Sequence, residues 1–121
     1  MTMTILTVDD SRTMRNMLKL ALAEAGFHVT QAEDGMHGLE VLKQDRPRVI
    51  VTDINMPRLD GFGFIEAVRK DHQYRAIPIL VLTTENDGDK KMRARQAGAT
   101  GWIVKPFDPV KLIAAIRRVA A

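Results

Sequence analysis

A doubly wound α/β fold, a parallel sheet with helices on both faces, is predicted by three features of the 121-residue sequence. Short apolar, β-branched runs recur five times, each followed by a stretch with helical spacing, which is the alternation that builds parallel sheets. One run, Val49-Ile50-Val51-Thr52, carries no charge, the composition of a strand covered on both faces. Acidic, hydroxyl or lysine residues stand where several of the runs end, and open α/β sheets bind ligands at the carboxyl ends of their strands.

Thr4 to Val8 reads as the first strand, stopped by Asp9-Asp10. Ser11 or Thr13 can cap a helix whose apolar stripe is Met14, Met17, Leu18, Ala21, Leu22 and Ala25, closed by Gly26. Phe27 to Ala32 is a second strand. Asp34-Gly35 turns the chain into a helix with Leu39 and Leu42 inside, ended by Pro47. The third strand, Val49 to Thr52, stops at Asp53; Met56-Pro57 continues neither strand nor helix, and Leu59-Asp60-Gly61 is turn chemistry. A third helix, Phe62 to Lys70, is anchored by Phe64, Ile65 and Val68. Ile79 to Leu82 forms the fourth strand, entered through Pro78 and ended by Thr83-Thr84. The next helix, about Asp87 to Ala97, is polar nearly all round, with only Met92, Ala94 and Ala97 to bury, and is expected to be the least firmly packed. Trp102 to Val104 is the fifth strand, broken by Lys105-Pro106. A last helix from Pro109 carries Leu112, Ile113, Ile116 and Val119. Right-handed crossovers leave few topologies. The flavodoxin-like strand order 2-1-3-4-5 sets the first and third strands side by side, where the switch-point crevice opens.

Composition narrows the function classes. Hydrophobic residues at 45% and charged ones at 27% are ordinary globular values, which argues against disorder and against membrane spanning. The length suits a single domain over residues 1–121, with no effector domain and no helix-turn-helix after the last helix. Without cysteine there is neither a disulfide framework nor thiol catalysis; together with the lack of a signal peptide this leads to an expected cytoplasmic location. The net charge of +3 suits an acidic partner but is too small to indicate nucleic acid.

In the predicted topology Asp9, Asp10, Asp53, Thr83 and Lys105 converge on one edge of the sheet. Three carboxylates at close range repel, so either some protonate or a cation sits among them. A small set of oxygen ligands with room for water favours Mg²⁺ over Ca²⁺, and the absence of nearby His or Cys argues against zinc. Asp53 is then equipped to attack a phosphorus, with the cation on one side and Lys105 and Thr83 on the other meeting the charge of the transferred group. The product is a dianion where a carboxylate stood, a change that can draw Thr83 inward and act as a switch.

The residues also resemble a family. LTVDDSRTMR, VTDINMPRLDG, VLTTE and GWIVKPF, in this order and at these intervals, look like a response-regulator receiver domain of the stand-alone chemotaxis CheY type, over essentially the whole chain. The resemblance implies a phosphorylation-activated switch of a two-component, chemotaxis-like system. Asp53 would accept phosphate from a histidine kinase. Asp10, Asp53 and the Asn55 backbone carbonyl would bind Mg²⁺, with Asp9 acting through water. Lys105 and Thr83 would contact the phosphoryl group, and Lys105-Pro106 would be cis. Asn55 and Glu85 match positions that tune self-dephosphorylation. Such a protein is not an enzyme toward other substrates: it catalyses only its own phosphorylation and dephosphorylation. Its partners would be the kinase and a flagellar motor switch protein, with no nucleic acid or membrane, and it would be a monomer. A phosphate-sink or relay receiver that does not bind the motor is the alternative. Trp102 stands where the family usually has Tyr or Phe.

Blander roles exist for every one of these residues. A strand-end Asp is commonly a turn or cap residue, a lysine is by default solvated, and methionines at helical spacing are core. The basic residues Lys90, Lys91, Arg93, Arg95, Lys111, Arg117 and Arg118 can be a solvated face; alternatively, with Trp102, they make the face of the fourth helix, fifth strand and last helix a surface for acidic partners. His28, His37 and His72 are scattered over different elements, which favours solvated or structural roles. A flavin module would share the topology, but Asp9-Asp10 would repel its phosphate. An aspartyl phosphatase would carry a second Asp where Asn55 stands.

Overall fold

The apolar runs form one five-stranded parallel sheet, ordered β2-β1-β3-β4-β5, in a computed structural model that describes residues 2–84 and 87–121. The elements are β1 (Thr4–Val8), α1 (Arg12–Glu24), β2 (His28–Ala32), α2 (Gly35–Gln44), β3 (Val49–Thr52), α3 (Gly61–Lys70), β4 (Ile79–Thr84), α4 (Gly88–Ala97), β5 (Gly101–Lys105) and α5 (Pro109–Ala120). This is the flavodoxin-like arrangement that the sequence predicts. β3 is buried along its whole length between β1 and β4, with Val8 opposite Thr52 and Thr52 opposite Val81.

Alternation along the strands divides the core in two. Leu6, Val8, Ile50, Ile79 and Val81 join Leu42, Phe64, Ile65 and Val68 in one cluster under α2, α3 and α4. Ile5, Val49, Val51, Leu80 and Leu82 join Leu18, Leu22, Leu112 and Ile116 in the other, under α1 and α5. Side-chain caps start every helix. Ser11 accepts from Met14 N–H, so Ser11 rather than Thr13 caps α1; Asp34, Asp60, Asp87 and Asp108 do the same for α2 to α5. Gly26 and Gly98 leave α1 and α4 through the left-handed region, at φ +92° and +118°.

Two apolar residues depart from the expected pattern. Met17 is 48% exposed and Met92 is 65% exposed. A stripe at i, i+3, i+4 spans more of a helix than a single sheet can cover, so α1 fully buries only Leu18 and Leu22, and α4 only Ala94. β4 also runs two residues further than predicted, and β5 begins at Gly101 and includes Lys105, which pairs with Thr84. The strand ladder thus delivers Thr83 and Lys105 to the sheet edge. β2 begins at His28, with Phe27 buried just before it, and α3 begins at Gly61 because Asp60 caps it.

Candidate functional site

The carboxyl ends of β1 and β3 are adjacent, and their backbone bonds fix where the acids stand. Asp9 N–H donates to Ala32 O (3.0 Å) and Asp53 N–H to Val8 O (2.8 Å). Arg15 Nη1 donates to Asp9 O at 2.7 Å. Behind Asp53 the chain doubles back: Gly61 N–H donates to Ile54 O at 2.7 Å, and a methyl group on Gly61 would collide with the Asp53 carbonyl, so only glycine allows this approach.

Asp9, Asp10 and Asp53 each offer a carboxylate oxygen, all within 4.8 Å of one another; Asp9 and Asp53 are buried and Asp10 is exposed. Asp53 Oδ1 accepts from Ile54 N–H and from Lys105 Nζ, both at 2.8 Å, so the lysine at the end of β5 reaches the acid at the end of β3. Asp9 Oδ1 accepts from Ser11 N–H at 2.8 Å, but Asp9 Oδ2 is buried with no partner among the described residues. Burial pushes the Asp9 carboxyl up to about 6, aided by the charges of Asp53 and Asp10 and opposed by the Ser11 N–H and by Lys105. The Thr83 hydroxyl is likewise buried and without a partner among the described residues. It lines a cavity of about 70 Å³ together with Asp53, Asn55, Thr84, Lys90 and Lys105.

An unpaired carboxylate oxygen, a raised acid and three converging oxygen ligands without nitrogen or sulfur fit a hard divalent cation such as Mg²⁺. The structure therefore brings together Asp9, Asp10, Asp53, Thr83 and Lys105 as the sequence predicts, with exposed Asn55 on the loop beside them. The Lys105-Pro106 peptide is cis, as the resemblance implies. Glu85, singled out for dephosphorylation, lies outside the described residues.

The basic residues do not share one face. Lys91 and Arg95 stand over the Trp102 ring at 5.5 and 5.4 Å, and Lys111 is exposed on α5. Lys90, one residue and about 100° away on α4, instead lines the cleft and pairs with Asp87 at 3.3 Å. Arg93 lies 4.1 Å over Phe62 of α3, and Arg117 5.8 Å over Phe27 beside α1. Sequence reasoning also missed Arg58, which pairs with buried Asp34; a charged residue amid the turn residues before Gly61 was the only available hint.

A parallel α/β sheet with an acidic crevice at its switch point and a lysine across it defines a class of phosphate-handling domains. The sequence profile of the response regulator receiver domain matches residues 5–117, and the chain belongs to that family. It is 40% identical over 111 residues to chemotaxis protein CheY-3 of Vibrio cholerae, covering 91% of this chain and 85% of that one. The solved structure of chemotaxis response regulator CheY4 of Vibrio cholerae superposes with a TM-score of 0.92 at 44% identity, over 98% of this chain and 99% of that one. The receiver domain of sensor histidine kinase PA1611 from Pseudomonas aeruginosa, with a magnesium ion coordinated in its active-site cleft, superposes with a TM-score of 0.91 at 27% identity over 99% and 98%. The chain also matches the probable transcriptional regulator ycf27 of Porphyridium aerugineum, 37% identical over 115 residues; these cover 95% of this chain but only about half, 47%, of that protein.

Proposed function

We propose that this receiver domain is a phosphorylation-activated switch of a chemotaxis-type two-component system, taking a phosphoryl group from a histidine kinase onto Asp53. The observation that carries the reading is the meeting of Asp9, Asp10 and Asp53 within 4.8 Å, with Lys105 bonded to Asp53 and an unpartnered Thr83 hydroxyl in the same cleft. CheY-type relatives matched over most of their length support the chemotaxis assignment.

Lys105 and the Ile54 N–H orient the Asp53 carboxylate, one of whose oxygens forms a bond to phosphorus while the phosphorus–nitrogen bond of a phosphohistidine breaks and the imidazole leaves. Lys105 and the Thr83 hydroxyl then meet the new charge, which gives the buried hydroxyl the acceptor it lacks. Asp10, Asp53 and the Asn55 carbonyl would hold Mg²⁺, with Asp9 acting through water; the cation would neutralise charge on the carboxylates and on the transferred group. Hydrolysis, tuned by Asn55 and Glu85, ends the signal, so the chain catalyses only its own modification. The output surface is Trp102 with Arg95 and Lys111, and its partner is an acidic surface such as that of a flagellar motor switch protein. The protein acts as a cytoplasmic monomer; no helix among the described residues is long and apolar enough to cross a membrane.

Incubation with acetyl phosphate and Mg²⁺ tests the chemistry. An acid-labile gain of one phosphate is expected, lost in Asp53→Asn and on chelation; an unmodified wild-type chain would refute the reading. If the phosphorylated chain donates phosphate onward and shows no gain in affinity for a motor switch protein, the relay alternative takes its place.

A further inference from the structure

The loop after Asp53 is held in a strained shape by a residue pair that the chemistry above leaves unused. Within residues 54–61, Leu59 N–H donates to Pro57 O at 2.7 Å, with Arg58 between them at φ +65°. A three-residue turn with positive φ at its centre is a rare, strained γ-turn. Arg58 is the one non-glycine residue with positive φ among the described residues. A side chain bearing a Cβ adopts that conformation at a cost, so the surroundings must hold it there.

What holds it lies on another element. The Arg58 side chain is 55% exposed, yet its Nε and Nη2 donate to Asp34 Oδ2 and Oδ1 at 2.7 and 2.9 Å, the two-pronged form of the ion pair that lysine cannot make. The Asp34 side chain is 5% exposed and also caps α2, accepting from His37 N–H at 2.9 Å. One residue on, Gly35 N–H donates to Leu59 O at 3.0 Å, and a methyl group on Gly35 would collide with that carbonyl. The β2–α2 corner is thus fastened, by ion pair and by backbone, to the loop that carries Asn55.

We propose that Asp34 and Arg58 are a positioning pair: by holding the turn at residues 57–59 they set the place of the Asn55 carbonyl, and with it the affinity of the acidic cluster for Mg²⁺. The inference rests on the proposed role of that carbonyl as a cation ligand. Groups that orient metal ligands from behind are worth about 10- to 100-fold in metal affinity. The sign is diagnostic. Arg58 is itself a cation, so by Coulomb's law alone its removal tightens Mg²⁺ binding; weaker binding reports lost positioning.

Calorimetric titration of the full chain with Mg²⁺ alone, beside thermal melts of the metal-free protein, tests the proposal. Arg58→Gly removes the pair while supplying the residue that adopts positive φ without strain. It is expected to bind Mg²⁺ roughly tenfold more weakly, while still melting cooperatively, at a metal-free Tm below wild type because buried Asp34 loses its partner. Arg58→Lys, which retains the charge but not the fork, falls between. Asp34→Asn keeps a capping side chain and matches Arg58→Gly in affinity, and adding Arg58→Gly to it changes affinity less than about twofold if the two act as a unit. Affinity in Arg58→Gly within twofold of wild type, or losses that simply multiply in the double variant, would overturn the proposal. A wild-type chain that takes up no Mg²⁺ would overturn it together with the cation site, an outcome visible in the wild-type titration alone.

Discussion

Asp9 is 1% exposed and its Oδ2 has no donor among the described residues, so the folded chain pays to keep this acid charged. Asn at this position keeps the size and the acceptor for Ser11 N–H while removing the charge. In Mg²⁺-free buffer near neutral pH, Asp9→Asn is expected to raise unfolding free energy by about 1–2 kcal/mol in urea titrations; a fall would mean that burial and the neighbouring acids do not make this charge costly. Asp34 behaves oppositely. The Arg58 guanidinium holds its carboxyl below the ordinary value of 3.8, so its stabilisation is fully present above that pH and is lost as pH falls below it. Asp34→Asn should therefore lower stability at neutral pH and flatten the decline as pH falls below the ordinary carboxylate value, read from melts at descending pH. Asp9, Asp10, Asp53 and Lys105 were legible in the sequence because each sits at a strand end, where topology alone brings them together. The Asp34–Arg58 pair was not, since it joins loops 24 residues apart and depends on a backbone angle that a turn-rich sequence does not specify.

Among the elements, α3 and α4 differ in what they bury. α3 places Phe62, Phe64, Ile65 and Val68 in the core, whereas α4 fully buries only Ala94. A large apolar side chain contributes about 1.5–3 kcal/mol on burial, so α4 opens at a distinctly lower free energy. Amides in the middle of α4 are expected to exchange with deuterium at least roughly tenfold faster than those in the middle of α3, after correction for intrinsic rates; equal protection would show that α4 is held by something other than its apolar area. A loosely held helix whose first turn carries Lys90 into the cleft, and whose Lys91 and Arg95 stand over Trp102, is suited to report a change of charge at Asp53. The polarity of α4 was plain from its residues, as was the burial of β3 from Val49-Ile50-Val51-Thr52. Which side each α4 lysine takes was not, because that depends on how the helix is rotated after β4, which runs two residues further than the apolar run alone suggests.

At the scale of the molecule, the acids that would hold the cation stand just past the ends of β1 and β3, neighbouring strands with a core cluster on each side. A cation held from the ends of both strands, beside the paired Val8 and Thr52, is expected to stabilise the whole sheet rather than the cleft alone. Mg²⁺ at ten times its dissociation constant adds about 1.4 kcal/mol, which for a domain of this size is a Tm rise of roughly 4–8 °C. Asp53→Asn should remove most of that rise. The same increment should appear in hydrogen exchange at Leu6 and Ile50, buried in the two strands, as about a tenfold slowing. Slowing confined to residues 54–60, with Leu6 and Ile50 unchanged, would mean that the ion orders the loop but does not tie the strands together. In that case the switch would act by local ordering beside Asp53, and its signal would have to reach Trp102 through Thr83 and α4 alone.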